Sequence, residues 1–389
     1  MSARIYLDNS ATSWPKPRGV YDAVDRWQRE SGVAVGRSGT RQGMELGRIV
    51  DRCRRRAAEL LGAPDSRRIV FGFNGTDSLN LAIHGLLRAG DRVVTTHTEH
   101  NSVLRPLESL RASHGVQTRF IDSRPDGVIE LDSLRSELAD QPRLVIVNHV
   151  SNVTGAIQPI DEVIQLSHAA GAKVLVDAAQ SAGHLPIDVS ALAVDLLACS
   201  GHKGMLGPLG TSILYVAEGN ETELAPVRQG GTGTSSEAVT QPIGLPERYE
   251  SGNQNAPGLV GLDAALGWLL ETGVEAIRAH EQELVTQLIA GLTPLPGLRI
   301  DGPANIRERT GVVSLTVDGY DPRELAALLD SEFGIEVRAG LHCAPRMHAV
   351  LGTLERGGTV RLSPGPFTSA ADIAATIEAF AQITSSSLA

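Results

Sequence analysis

Residues 173–203, with the sequence KVLVDAAQSAGHLPIDVSALAVDLLACSGHK, decide the fold. The stretch contains two short apolar runs, 173–177 and 196–200, and each run leads directly into polar residues. Apolar runs without alternation are typical of strands that helices cover on both faces. Five further strand-like runs lie at 69–72, 92–95, 117–121, 144–148 and 211–216. The pattern predicts an α/β fold with a mostly parallel seven-stranded sheet and flanking helices.

The sequence changes in character after residue 257. Amphipathic helices are predicted over Val274–Leu292 and Pro322–Phe333, and Asp321 is the expected N-cap of the second. Short strands are predicted between the helices, at 311–317, 335–339 and 360–362. This part of the chain is therefore expected to form a smaller α+β unit.

The length of 389 residues allows two or three domains of roughly 150 residues each. We expect a large domain over residues 16–257. A small domain is expected from residues 1–15 together with 258–389, with a helix starting near Gly258 as the hinge.

Composition narrows the class of function. Hydrophobic residues make up 42% of the chain and charged residues 21%, as in ordinary globular proteins. The net charge of −10 argues against a nucleic-acid partner, and no apolar stretch reaches the roughly 20 residues that cross a bilayer. The three cysteines form no CxxC pair, so neither a disulfide framework nor a metal site is expected. These features predict a cytoplasmic protein with a small-molecule substrate.

Lys203 lies in the polar turn SGHKG, directly after the apolar run 196–200 and 26 residues after Asp177. This spacing suits one crossover between neighbouring parallel strands, which would place the amine and the carboxylate in one cleft. The lysine could instead be a solvated surface residue, or the two groups a plain ion pair. They also match pyridoxal phosphate, which requires a lysine for a Schiff base and an acid at its pyridine nitrogen.

The segment NGTDS at 74–78 follows a predicted strand and begins a predicted helix. The free N–H groups at such a helix N-terminus attract an anion, although Thr76 and Asp77 could simply cap the helix.

Taken in order, these motifs resemble the class V, fold-type I pyridoxal-phosphate enzymes, and within them the cysteine desulfurases. The resemblance extends from YLDNSAT at 6–12 to TVRL at 359–362. It implies that Lys203 is the Schiff-base lysine, that Asp177 pairs with the pyridine nitrogen and that Gln180 bonds the ring hydroxyl. His100 would stack on the ring, and either His100 or Lys203 would act as the base. The residues that resemble the phosphate cup are Gly75, Thr76, Ser200 and His202.

Cys343 lies in the segment RAGLHCAP at 338–345. A buried inert thiol is the default for a cysteine in such a chain. The segment nevertheless resembles the Arg-x-Gly-x-His-Cys motif of the short-loop desulfurases, whose cysteine attacks the substrate sulfur. Arg338 and His342, if close, would favour the reactive thiolate. By the same resemblance, the substrate carboxylate would be bound by Arg338, Arg361 and Asn152. Cys53 and Cys199 match no motif.

One segment departs from the family pattern. The family usually presents Gly-Thr where this chain has Gly252 and Asn253, and the threonine reaches the phosphate of the neighbouring subunit. An amide can also donate to phosphate, so we expect the role to be kept in a homodimer.

The resemblance predicts conversion of L-cysteine to L-alanine, with a persulfide formed on Cys343. The short loop limits the reach of the sulfur, so we expect a thiol reductant or a sulfur-acceptor protein to speed turnover. Three alternatives stay open: a selenocysteine lyase, a class V enzyme in which Cys343 is not catalytic, and a cofactor-binding protein without turnover.

Overall fold

The computed structural model describes residues 4–35, 39–234 and 237–386. Its strands are β1 Ile5–Tyr6, β2 Ile69–Gly72, β3 Arg92–Thr96, β4 Gln117–Ile121, β5 Leu144–Asn148, β6 Lys173–Asp177, β7 Leu196–Ser200, β8 Ser212–Val216, β9 Leu298–Asp301, β10 Val313–Val317, β11 Ile335–Glu336, β12 Arg338–Gly340 and β13 Thr359–Leu362. Its α-helices are α1 Arg18–Glu30, α2 Arg41–Leu60, α3 Gly75–Leu86, α4 Asn101–His114, α5 Leu131–Leu138, α6 Ile160–Ala169, α7 Ala256–Thr272, α8 Val274–Leu292, α9 Pro322–Phe333, α10 Pro345–Leu351 and α11 Ala370–Ser386. Within the described ranges, no helix is long and apolar enough to cross a membrane.

The central sheet has seven strands in the order β2-β8-β7-β6-β5-β3-β4. All pairs are parallel except those of β8, which runs antiparallel to both of its neighbours. The prediction of a mostly parallel seven-stranded α/β sheet is therefore confirmed. β6 and β7 are adjacent and parallel, so Asp177 and the turn after Ser200 lie at the same edge of the sheet.

The uninterrupted apolar character of the strands follows from burial on both faces. In β5, Val145 and Val147 belong to one hydrophobic core, and Leu144 and Ile146 belong to the other. Because successive strand residues point to opposite faces, both sets must be apolar. Helices α1, α2, α5, α6 and α7 contribute to the first core, and α3 and α4 to the second.

A third core joins a four-stranded antiparallel sheet, β12-β13-β10-β9, to α8, α9 and α11. The two predicted helices have the predicted bounds, and the Asp321 side chain accepts a hydrogen bond from the Arg323 N–H at 2.8 Å. The predicted strand 335–339 is wrong as a single element. It consists of β11, which pairs with β1, and β12, which pairs with β13.

The chain folds so that the N-terminal β1 lies beside elements from its far end. β1 pairs with β11 in parallel, and its side chains join the third core through Ile5. Helix α7 starts at Ala256, close to the predicted Gly258, and its side chains pack in the first core. The domain boundaries and the hinge stay predictions.

A close backbone contact holds the connection between β6 and β7 against the turn that carries Lys203. Gly183 in this connection has φ +87°, and a Cβ atom there would clash with the carbonyl group of Gly204. Gly171, before β6, has a similar φ of +78° but nothing within 4 Å of its Cβ position. The two glycines share a conformation and differ in their surroundings.

We expect Gly171→Ala to lower the free energy of unfolding by about 1 kcal/mol, the cost of a left-handed alanine. Gly183→Ala should cost at least about 3 kcal/mol, because the backbone must also move to relieve the clash. Chemical denaturation of the two variants measures the difference. Equal costs would show that the contact between Gly183 and Gly204 does not constrain the turn.

Candidate active site

The carboxyl edge of the central sheet borders a cavity of about 120 Å³. Strand ends β5, β6 and β7 contribute Asn148, Asp177 and Ser200 to its wall. The structure brings nine of the predicted site residues together in this wall: Gly75, Thr76, His100, Asn152, Asp177, Gln180, Ser200, His202 and Lys203. Polar residues from five separate segments therefore converge at the place where parallel sheets bind ligands.

Asp177 is buried, Lys203 is half-buried, and each charge affects the pKa of the other group. Asp177 Oδ1 accepts a hydrogen bond from the Ala179 N–H at 2.9 Å. Burial raises the pKa of Asp177, and this hydrogen bond and the Lys203 charge oppose the change. Burial lowers the pKa of Lys203 to about 8, and Asp177 opposes that shift in turn. The amine is thus available in its neutral, nucleophilic form close to physiological pH.

His100 is the N-cap of α4, and its ring is fixed by the start of that helix. Nδ1 accepts the Ser102 N–H at 3.0 Å and lies 2.8 Å from Ser102 Oγ. Because Nδ1 is an acceptor, the neutral ring carries its proton on Nε2. Burial, followed by the Lys203 charge, lowers the pKa of His100 to about 4. In this tautomer Nε2 carries a proton and has no free lone pair, which favours Lys203 over His100 as the base.

An anion cradle forms where α3 begins. Asn74 Oδ1 accepts the Asp77 N–H at 2.9 Å, and Gly75 and Thr76 open the helix beside the cavity. A Cβ atom on Gly75 would lie 2.5 Å from Ser200 Oγ, so glycine at this position allows the close approach. His202 Nδ1 is buried without a partner among the described residues. The N-terminus of α3, the backbone of Gly75 close to Ser200, and the unpartnered Nδ1 of His202 together suit a phosphate group.

Cys343 follows β12 and is half-buried. Its Sγ lies 3.8 Å from Arg338 Nη2, so Arg338 has the proximity that was expected from the sequence. The His342 ring turns away to Thr359, with Nε2 3.0 Å from Thr359 Oγ1, and burial and the Arg361 charge hold its pKa well below the usual range. His342 is a neutral structural residue.

Arg338 and Arg361 stand opposite each other on β12 and β13. Like charges in such a cross-strand pair repel, so the pair requires an anion nearby. Asp8 supplies one, since its Oδ1 lies 2.8 Å from Arg361 Nη2. Arg361 is 1% exposed, and its Nε is buried without a partner in the described chain. A carboxylate is the ligand that a spare, buried guanidinium N–H favours.

Two residues near the site had no role in the sequence prediction. Asp8 belongs to the motif YLDNSAT and pairs with Arg361. Lys16 Nζ donates to Ser13 Oγ at 2.9 Å and reaches the His202 carbonyl at 3.4 Å. Burial lowers the pKa of Lys16 to about 8. The available signal was composition, because the chain contains only three lysines, at 16, 173 and 203.

Gly252 and Asn253 line other pockets and do not line the cavity of their own chain. The chain is anchored two residues before Gly252, at Glu250. Arg54 forms two charged hydrogen bonds with Glu250, at 2.7 and 2.9 Å. Both side chains are buried. The predicted contact of Gly252 and Asn253 with a cofactor therefore stays a prediction that involves a second subunit.

Comparison with known proteins agrees with this geometry. The family model for aminotransferase class-V matches residues 5–375. A probable cysteine desulfurase from Methanothermobacter thermautotrophicus is 35% identical and covers 92% of this chain and 89% of its own length. A cysteine desulfurase from Escherichia coli is 36% identical, and the match covers 87% of this chain and 84% of the relative's length. The apo structure of a cysteine desulfurase from Thermococcus onnurineus has a TM-score of 0.92 at 34% identity and covers 98% of this chain and 95% of its own.

The small number of lysines makes the amine pKa values directly measurable. In cofactor-free protein labelled with ¹³C at the lysine ε-carbon, we expect the Lys203 and Lys16 signals to titrate near pH 8, because loss of contact with water lowers the pKa of both amines. A Lys203→Met variant assigns the first signal by its loss, and Lys16→Met the second. Titration of both amines near their ordinary pKa of about 10.4 would contradict the burial argument.

Proposed function

The chain belongs to the class-V aminotransferase family, and on that premise we propose that it is a pyridoxal-phosphate-dependent cysteine desulfurase that takes sulfur onto Cys343. One observation carries the proposal. The turn that carries Cys343 is hydrogen-bonded to Asn152, which lines the same cavity as Lys203, and the Cys343 sulfur lies 3.8 Å from Arg338 Nη2. An enclosed amine, a carboxylate-binding arginine pair and a thiol therefore belong to one site.

The cavity residues suit the cofactor. When bound, pyridoxal phosphate makes the α-carbon of an amino acid acidic by drawing electrons into its ring. Lys203 would carry the covalent link, Asp177 would pair with the ring nitrogen, and His100 would lie on the ring face. The cradle of Gly75 and Thr76, with Ser200 and His202, would hold the phosphate. Gln180 would bond the ring hydroxyl; its Nε2 already donates to the Ser10 carbonyl at 3.0 Å, which leaves its oxygen as the acceptor.

Arg338 and Arg361 would orient the substrate. The planar guanidinium groups of Arg338 and Arg361 match a carboxylate in two parallel hydrogen bonds. With the carboxylate held there, the substrate side chain can point toward Cys343. Lys203, neutral near pH 8, then takes the α-proton, since the His100 nitrogen that could accept it carries a proton already.

The sulfur step is a displacement at the substrate sulfur. The Cys343 thiolate attacks that sulfur, an S–S bond forms, and the C–S bond of the substrate breaks. The electron pair of the broken bond stays with carbon, which takes up a proton and leaves as alanine. One thiol of cysteine and one thiol of the enzyme thus become alanine and a Cys343 persulfide, with no external oxidant.

We infer a homodimer in which Gly252 and Asn253 reach the phosphate of the other subunit. The buried pair of Arg54 and Glu250 supports this, because it fixes the segment to β2 while Gly252 and Asn253 remain outside their own cavity.

Alanine release from L-cysteine tests the proposed function. We expect Cys343→Ala to lower kcat by about 100-fold or more, because it removes the nucleophile. Cys53→Ala is the matched control, since Cys53 is buried in the first core and should leave kcat unchanged. Parallel assays with selenocysteine measure the preference between the two substrates. Full alanine release by Cys343→Ala would remove the cysteine from the mechanism.

The persulfide must leave before the next turnover. Since Cys343 sits only a few residues from β12 and is half-buried, its reach is short, and we expect dithiothreitol to raise the steady-state rate several-fold. A rapid first turnover without reductant, followed by a slow phase, would accompany this result. Equal steady-state rates with and without a thiol acceptor would contradict it.

A further inference from the structure

Cys343 lies in an unusual backbone turn, formed by residues 341–344. His342 has φ +48° and Cys343 has φ +59°, so two consecutive non-glycine residues are left-handed. L-residues with a Cβ adopt this region rarely, because the Cβ approaches the carbonyl oxygen. Such a conformation persists only where surrounding contacts hold it.

Three hydrogen bonds hold the turn. Asn152 Nδ2 donates to the His342 carbonyl at 2.6 Å, and the Asn101 N–H donates to the Cys343 carbonyl at 2.7 Å. The third bond closes the turn itself, from the Ala344 N–H to the Leu341 carbonyl at 2.9 Å. Two of the three donors therefore come from elsewhere in the chain, one from the loop after β5 and one from the first residue of α4.

The contact with Asn152 is buried and is part of a packed junction. Asn152 is 7% exposed, and the neighbouring Val153 packs with Ala344 and Met347 in a small apolar cluster. Arg361 Nη1 donates to the Asn152 carbonyl at 3.1 Å and fixes the backbone from the other side. The amide is thus held in place and points at the turn.

We propose that Asn152 is a positioning residue for the nucleophile: its side-chain amide holds the His342 carbonyl and so fixes the turn that presents Cys343. The amide has a second N–H, and Asn152 Oδ1 is buried without a partner among the described residues. If the proposed function holds, the residue expected to touch the substrate carboxylate therefore also sets the position of the attacking sulfur.

Alkylation of Cys343 by iodoacetamide, followed by mass spectrometry in protein saturated with pyridoxal phosphate, tests this without using turnover. Asn152→Ala should raise the rate about five-fold, the effect of losing one buried hydrogen bond that closes the turn. Ser314→Ala is the matched control. It removes a 2.6 Å bond to the carbonyl of Val153, the next residue, and does not touch the turn. Its rate should stay within about two-fold of the wild-type rate.

Asn152→Asp is the second variant if Asn152→Ala does not fold, because an ionised carboxylate of the same size cannot donate to the His342 carbonyl. Asn101→Pro tests the other long-range hydrogen bond to the turn. Proline is tolerated at the first position of a helix, and His100 already has the extended ψ of 155° that precedes proline. The change removes the N–H bound to the Cys343 carbonyl and should also raise alkylation. An unchanged alkylation rate in Asn152→Ala with a raised KM for cysteine would overturn the inference and leave the proposed function standing. Faster alkylation of Asn152→Ala, together with a wild-type protein that releases no alanine, would support the inference and overturn the proposed function.

Discussion

The structure is organised around two opposite charges, buried Asp177 at the end of β6 and half-buried Lys203 in the turn after the adjacent strand β7. Withdrawing a carboxylate or an amine from water is costly, and the charges of Asp177 and Lys203 each reduce that cost for the other. Their mutual effect is only partial, because the pKa of Lys203 stays lowered by burial. The sheet therefore holds an amine that gives up its proton readily next to an acid, and this combination makes the cavity chemically useful.

A second electrostatic constraint joins the far ends of the chain. The cross-strand pair of Arg338 and Arg361 would repel on its own, and the N-terminal segment brings Asp8 to compensate it. Pairing of β1 with β11 makes that approach possible. The large sheet, the N-terminal segment and the C-terminal strands thus meet at one place, where two arginines face a single carboxylate.

The sequence alone predicted the central sheet because each strand must be apolar on both faces, as β5 shows, and the predicted helices because their apolar stripes and caps are local. Nine predicted residues meet in one cavity, since strand ends of a parallel sheet converge. Orientation could not be predicted in this way. The His342 ring depends on Thr359, which lies 17 residues later on β13, and Lys16 depends on the carbonyl of His202. Such contacts arise from packing between distant segments and leave no local pattern.

The scarcity of lysine limits the number of side chains that can react with a free aldehyde. Arginine guanidinium groups, which supply nearly all of its positive charge, do not form stable imines, so few side chains can compete for a carbonyl compound. Lys173 is occupied by Asn220 and Glu223, and Lys16 by Ser13. An incoming aldehyde therefore finds a surface almost without reactive amines, and adventitious condensation outside the cavity is suppressed by composition as well as by shape.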